Sequence, residues 1–166
     1  MFRNLFLSSL FIFAFSCSET SINKANNAYL KETINYQSKN IYGFENLFDG
    51  RITSQADQNV FGVLHFPDNY DASRQYPLVI ASHGSSNWRD HHRRYLEQIR
   101  QEDYLVFAIH PFDSRDVSST VGNQINVTSE TVIYEMAQAL NLMSKDSRVD
   151  NQKIFAAGWS LGGTAS

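Results

Sequence analysis

The sequence predicts an α/β fold, a mostly parallel sheet with flanking helices. Three observations carry that reading. Short apolar runs at 78–82, 105–109 and 154–157 are continuous rather than alternating, as strands covered on both faces are. Large side chains between those runs recur at helical spacing. A Gly-x-Ser-x-Gly turn, Gly158-Trp159-Ser160-Leu161-Gly162, stands directly behind the last run.

Taken in order, a first strand is expected over 60–66, and Pro67, Asn69, Asp71 and Pro77 punctuate the link to the second at 78–82. A helix follows over 88–100, with Trp88, Tyr95, Leu96 and Ile99 on one face and Arg89, Arg93, Arg94 and Arg100 mostly left to water. The third strand is 105–109. The second helix, 129–143, places Val132, Met136, Leu140 and Met143 on one stripe. Thr128 is its expected N-cap, and Glu130 lies in the first turn, where a carboxylate suits the positive helix end. The fourth strand is 154–157. Alternation of strand and helix implies right-handed crossovers in one sheet. Neither an internal repeat nor a low-complexity tract is present.

The N-terminus reads as a secretory signal over residues 1–16: Arg3 supplies positive charge and 5–15 is an uncharged apolar stretch. Those 11 residues are too few for a membrane-spanning helix, which needs about 20. Cys17, the single cysteine, follows Ser16, so three routes stay open: cleavage and lipid attachment at Cys17, which is favoured, cleavage and release, or an uncleaved anchor. The protein is expected to be exported, as a periplasmic or outer-membrane-anchored lipoprotein or as an extracellular protein. One thiol makes no internal bridge, so the fold stands without disulfides. Residues 17–40 are polar and read as a tether, leaving 41–166 as one domain. A net charge of −3 without a basic cluster argues against a nucleic-acid partner. Asn126-Val127-Thr128 has the form of a glycosylation sequon but reads more simply as a helix start.

The chemistry sits at Ser160. A serine at the centre of this pentapeptide occupies a strand-to-helix turn so tight that Gly158 and Gly162 must lack side chains. The turn lifts the hydroxyl clear of the sheet and aims the Leu161 N–H at the position of a developing oxyanion. Upstream, His83-Gly84 ends another strand, and Gly84, Ser85 and Ser86 leave room for a second backbone donor, assigned to the neighbourhood of Ser85.

Over about 61–166 the chain resembles the dienelactone hydrolase group of the α/β-hydrolases. The resemblance rests on the run from Tyr76-Pro77 through Ser82-His83-Gly84, on Tyr104-Leu105-Val106-Phe107-Ala108, and on Pro111-Phe112-Asp113-Ser114-Arg115 followed by Ser118-Ser119-Thr120. Arg148-Val149-Asp150-Asn151-Gln152-Lys153-Ile154 and the turn at Ser160 extend it. It implies acyl transfer from a small-molecule carboxylic ester, with Ser160 as nucleophile and Leu161 and Ser85 at the oxyanion, and without metal or cofactor. The founding members of that group carry cysteine where this chain has Ser160, so a general ester is the expected substrate class. In such folds the acid and then the base follow the serine, and here only 161–166 follow. The chain is therefore expected to be an incomplete α/β-hydrolase domain, ending just after the elbow and inactive alone. Its last strand, lacking a later neighbour, is expected to promote association.

The histidines present offer no base. His83 shapes the oxyanion loop by the resemblance, His110 ends a strand further off, and His65 lies in a strand. His91 and His92 point apart on a helix and read as solvated positions. Arg115 is read as a structural partner of Asp113 or Asp116 in preference to a substrate-carboxylate clamp. Trp159 is open between pocket wall and core. Two other functions compete: a non-catalytic lipoprotein binding module on the same sheet, and a prolyl-oligopeptidase-like peptidase. Residues 18–60 are far too short for that peptidase's propeller.

Overall fold

The computed structural model describes residues 30–48 and 51–166. The expected signal, Cys17 and most of the tether lie outside the described residues.

The tether reading is corrected at its C-terminal end, where Lys31–Lys39 forms strand β1. Ile34, Tyr36 and Ser38 turn inward while Thr33, Asn35 and Gln37 stay exposed. This is the period-two pattern of a half-covered strand, carried by too few apolar residues to stand out from a polar stretch. After a single helical turn, α1 (Glu45–Phe48), strand β2 (Asp57–His65) pairs antiparallel with β1, Lys31 opposite His65 and Lys39 opposite Asp57. Then come β3 (Tyr76–Ser82), α2 (Asp90–Gln101), β4 (Leu105–Ile109), α3 (Ser129–Met143) and β5 (Val149–Gly158).

The five strands lie in the order β1-β2-β4-β3-β5. The β4, β3 and β5 strands are mutually parallel, and β2 meets β4 antiparallel. Residue parity on β4 shows why its run is continuous. Leu105, Phe107 and Ile109 pack with Val132, Met136, Ala139 and Met143 of α3, whereas Val106 and Ala108 pack with Trp88 and with Leu96 of α2. Each face has its own helix, so no position on β4 is free for a polar residue.

The helix ends follow local rules. Thr128 caps α3, its hydroxyl accepting from the Thr131 N–H at 3.1 Å, and the hydroxyls of Thr128 and Thr131 both donate to the Ile41 carbonyl just beyond β1. On α2 the solvated-face reading needs two corrections. Arg100 is buried, donating to the Phe66 carbonyl at 3.2 Å and paired with Glu97 and Asp68. Four oxygens, both of Glu97, one of Asp68 and the Phe66 carbonyl, satisfy its head. His92 is also buried, because its Nδ1 accepts the Arg89 N–H at 3.1 Å and its ring packs 4.9 Å from that of Trp159.

Strand β5 lies at the sheet edge, with Phe155 51% exposed. Phe155, Val79, Ile99 and Tyr104 line an apolar hollow of about 290 Å³ beside α2. Among the described residues no helix is long and apolar enough to cross a membrane.

Candidate active site

The β5 strand delivers the chain to a turn that only glycines allow. A Cβ on Gly158 would lie 2.1 Å from the Gly162 carbonyl oxygen, and one on Gly162 would lie 2.4 Å from the carbonyl oxygen of Ser82 and 2.6 Å from that of His83. The two glycines therefore let the turn fold onto itself and onto the end of β3. The Trp159 N–H donates to the Ser82 carbonyl at 3.2 Å, fixing the approach. Ser160 then takes the left-handed conformation, φ +51°, and a five-residue 3₁₀ helix (Ser160–Thr164) begins. That φ is unfavourable for a residue with a side chain and persists because the surrounding backbone over-determines it. Ser160 is exposed, whereas Leu161 beside it is buried. Among the described residues the Leu161 N–H has no hydrogen-bond acceptor.

The end of β3 brings the second half of the site. Gly84 sits against the turn so closely that a Cβ there would lie 3.0 Å from the Trp159 carbonyl oxygen and 3.2 Å from the Ser160 Cβ. Residues 84–87 form a tight turn closed by the Asn87 N–H donating to the Gly84 carbonyl at 3.0 Å, with Asn87 left-handed at φ +66°. The Ser85 carbonyl accepts from the Thr120 N–H at 2.9 Å and from the Ser119 hydroxyl at 3.0 Å. The fold thus gathers Ser160, Leu161 and the Ser85 loop at one end of the parallel strands, where open α/β sheets bind ligands.

The remaining singled-out residues are placed as follows. His83 is buried between Trp88 and Phe112, its Nδ1 2.8 Å from the Gly84 carbonyl oxygen. Burial lowers its pKa to about 4, against the pull of that carbonyl. His65 is likewise held neutral, burial lowering it to about 4. His110 bonds through Nδ1 to Asp113 at 2.7 Å and stacks on Phe61 of β2, ring centroids 4.8 Å apart. It follows β4, and β3 lies between β4 and the β5 strand that leads to the turn at Ser160. Burial lowers the His110 pKa more than Asp113 raises it.

Arg115 is structural, as favoured, but its partner is corrected. Its Nη1 donates to Glu135 at 2.8 Å and to the Pro111 carbonyl at 2.8 Å, and its Nε donates to Asn40 at 2.7 Å. Asp113 is instead taken by His110 and by the Asn87 amide at 2.7 Å. Glu135 lies on α3, a contact between distant segments to which no sequence spacing points. Trp159 turns toward α2, stacked with Tyr95 at 5.9 Å and edge-on to Trp88 at 6.1 Å, so it braces the elbow from the helix side. Asn87, absent from the sequence-based set, proves central to the loop; the signal available was an Asn closing a Gly-Ser-Ser turn, a residue tolerant of left-handed backbone. No group of His, Cys, Asp and Glu among the described residues has metal-binding geometry.

The chain matches no protein-family model and no curated protein. Solved structures do match. A Klebsiella pneumoniae protein assigned as a dienelactone hydrolase superposes with TM-score 0.51 at 14% identity, covering 80% of this chain and 52% of its own. A Bacteroides ovatus protein assigned as a dipeptidyl aminopeptidase IV gives TM-score 0.52 at 15% identity, over 84% of this chain and 19% of its own. Dipeptidyl peptidase 4 of Porphyromonas gingivalis gives 0.50 at 17%, over 82% and 18%. The chain thus spans about half the length of the dienelactone hydrolase structure and under a fifth of the peptidases. At these identities the likeness is one of fold: a mixed, mostly parallel sheet with flanking helices, the α/β-hydrolase arrangement of dienelactone hydrolase-like proteins.

Proposed function

We propose that this chain is the nucleophile-bearing part of an exported serine hydrolase acting on small carboxylic esters. The observation that carries the reading is the exposed Ser160 at φ +51°, pressed against Gly84 between two backbone segments that offer N–H donors. In this reading Ser160 attacks the ester carbonyl, its proton passes to a base, and the oxyanion is held by the Leu161 N–H and a donor at Ser85. The alcohol leaves with a proton, and water then releases the acid from the acyl-enzyme. Each backbone donor is typically worth about 3 to 4 kcal/mol in the chemical step. The base and its orienting carboxylate would come from segments after Ser160, where folds of this kind carry them. Cys17 would tether the enzyme to a membrane through an attached lipid.

The dipeptidyl peptidase neighbours leave peptide bonds as a second substrate class on the same sheet. Labelling the full-length gene product with a fluorophosphonate, followed by peptide mapping, tests the reading. Modification at Ser160, lost in Ser160→Ala, is the expected result; an unmodified Ser160 in the folded full-length protein would leave a binding module. Turnover of 4-nitrophenyl acetate against a peptide anilide then separates esterase from peptidase.

A further inference from the structure

We propose that Asp113 and Asn87 are positioning residues that set the direction of the oxyanion-loop N–H groups, through a side-chain strut running from the end of β4 to the loop. This rests on the hydrolase reading above.

The loop after β3 has left the sheet, so no strand ladder fixes it. Its donors are oriented by what holds its carbonyls, because a trans peptide points the N–H of one residue opposite to the C=O of the residue before it. The Gly84 carbonyl is fixed by the Asn87 N–H at 3.0 Å and lies 2.8 Å from His83 Nδ1, which sets the Ser85 N–H. The Ser85 carbonyl is fixed by Thr120 and Ser119, which sets the Ser86 N–H.

The first of these depends on Asn87 keeping a left-handed backbone, and its side chain is locked at both ends. Oδ1 accepts the Trp88 N–H at 2.6 Å, and Nδ2 donates to Asp113 Oδ1 at 2.7 Å. The other oxygen of Asp113 bonds His110 Nδ1 at 2.7 Å, and the His110 ring lies on Phe61 with 17° between planes. Asp113 thus accepts from two donors that face it from different elements, which an ionised carboxylate does and an amide does not. Next along the chain, the Trp88 indole donates to the Ile109 carbonyl at 3.0 Å. Both clamps on the loop, Asp113 on one side and Ser119 with Thr120 on the other, come from the single segment after β4. Arg115 anchors that segment to Glu135. The end of β4 therefore serves as the template on which the loop is shaped.

The test uses the full-length protein with three variants, reading the second-order rate of fluorophosphonate labelling at Ser160 and the kcat and KM for 4-nitrophenyl acetate. Asp113→Asn should lower kcat and labelling roughly 10- to 100-fold with KM little changed, the scale expected when reacting groups are misplaced by about 1 Å. Asn87→Gly keeps the left-handed backbone at no steric cost but removes the strut, and should show the same loss. The exchange Asn87→Asp with Asp113→Asn restores a complementary donor and acceptor pair and should recover most of the rate. A role in folding alone would lower the melting temperature without this split between kcat and KM and without rescue by the exchange. Wild-type rates in Asp113→Asn and Asn87→Gly overturn the proposal while leaving the hydrolase reading intact, as does an exchange variant no better than Asp113→Asn. Failure of the wild-type protein to label at Ser160 overturns both.

Discussion

Glu135 offers a test of how burial and pairing balance beneath the site. Its carboxylate is fully buried on α3 and accepts from Arg115 Nη1 at 2.8 Å, while Glu135 Oε1, Arg115 Nη2 and the Tyr36 hydroxyl have no partner among the described residues. Burial outweighs the attraction of Arg115 and raises the Glu135 pKa from 4.5 to about 7. A raised folded-state pKa means the native protein holds a proton that the unfolded chain releases. The associated stability is complete below pH 4.5 and is lost as pH climbs toward about 7. A shift of that size corresponds to about 3 kcal/mol. Glu135→Gln mimics the protonated form at every pH, so its stability lacks this slope. Urea unfolding of both proteins at steps across that range measures it. Whatever constant offset the amide introduces, the gap between the two curves should change by about 3 kcal/mol in favour of the variant on going from the acid end to neutrality. The histidines titrate identically in both proteins and cancel. Parallel curves would show that the buried carboxyl titrates normally and that Arg115 fully compensates its desolvation.

Other expectations follow from the same geometry. Gly162→Ala drives a Cβ to 2.4 Å from the Ser82 carbonyl oxygen, a backbone contact that no rotamer relieves, and should cost about 3 kcal/mol as well as abolish labelling of Ser160; melting with near-wild-type midpoint would show that the turn is looser than it stands here. Neutral, buried His83 is held at a pKa of about 4, so its contribution is present above 6.5 and lost as pH falls through about 4. Its imidazole proton shifts should therefore stay at neutral-form values until pH approaches about 4, and a midpoint near 6.5 would contradict its burial. Phe155, 51% exposed on the edge strand, should drive self-association of this chain when produced alone. Phe155→Lys should shift its sedimentation profile toward monomer, whereas a monodisperse unsubstituted chain would remove the argument.

The turn at Ser160 was legible because its chemistry is local: two glycines, a serine and an apolar run before them admit few backbone shapes. The strand at 105–109 and the helix at 129–143 were legible to the residue, since continuous burial and a Thr128 cap leave plain signals. The β1 strand was not, because its inward face is Ile34, Tyr36 and Ser38 and its pairing with β2 is a contact across the chain. His92 and Arg100 were misread as solvated because polarity in sequence says nothing about a partner supplied by another element.

The sequence by itself determined where the tight turn at Ser160 would stand, since the steric demands of such a turn act between neighbours and are written in neighbouring residues. Only the tertiary structure decided what surrounds it: Asn87 held by Asp113, Ser85 by Thr120, Arg115 by Glu135. Those pairs join segments that meet only when the sheet forms. A hydrogen bond between distant residues leaves no spacing from which it could be read.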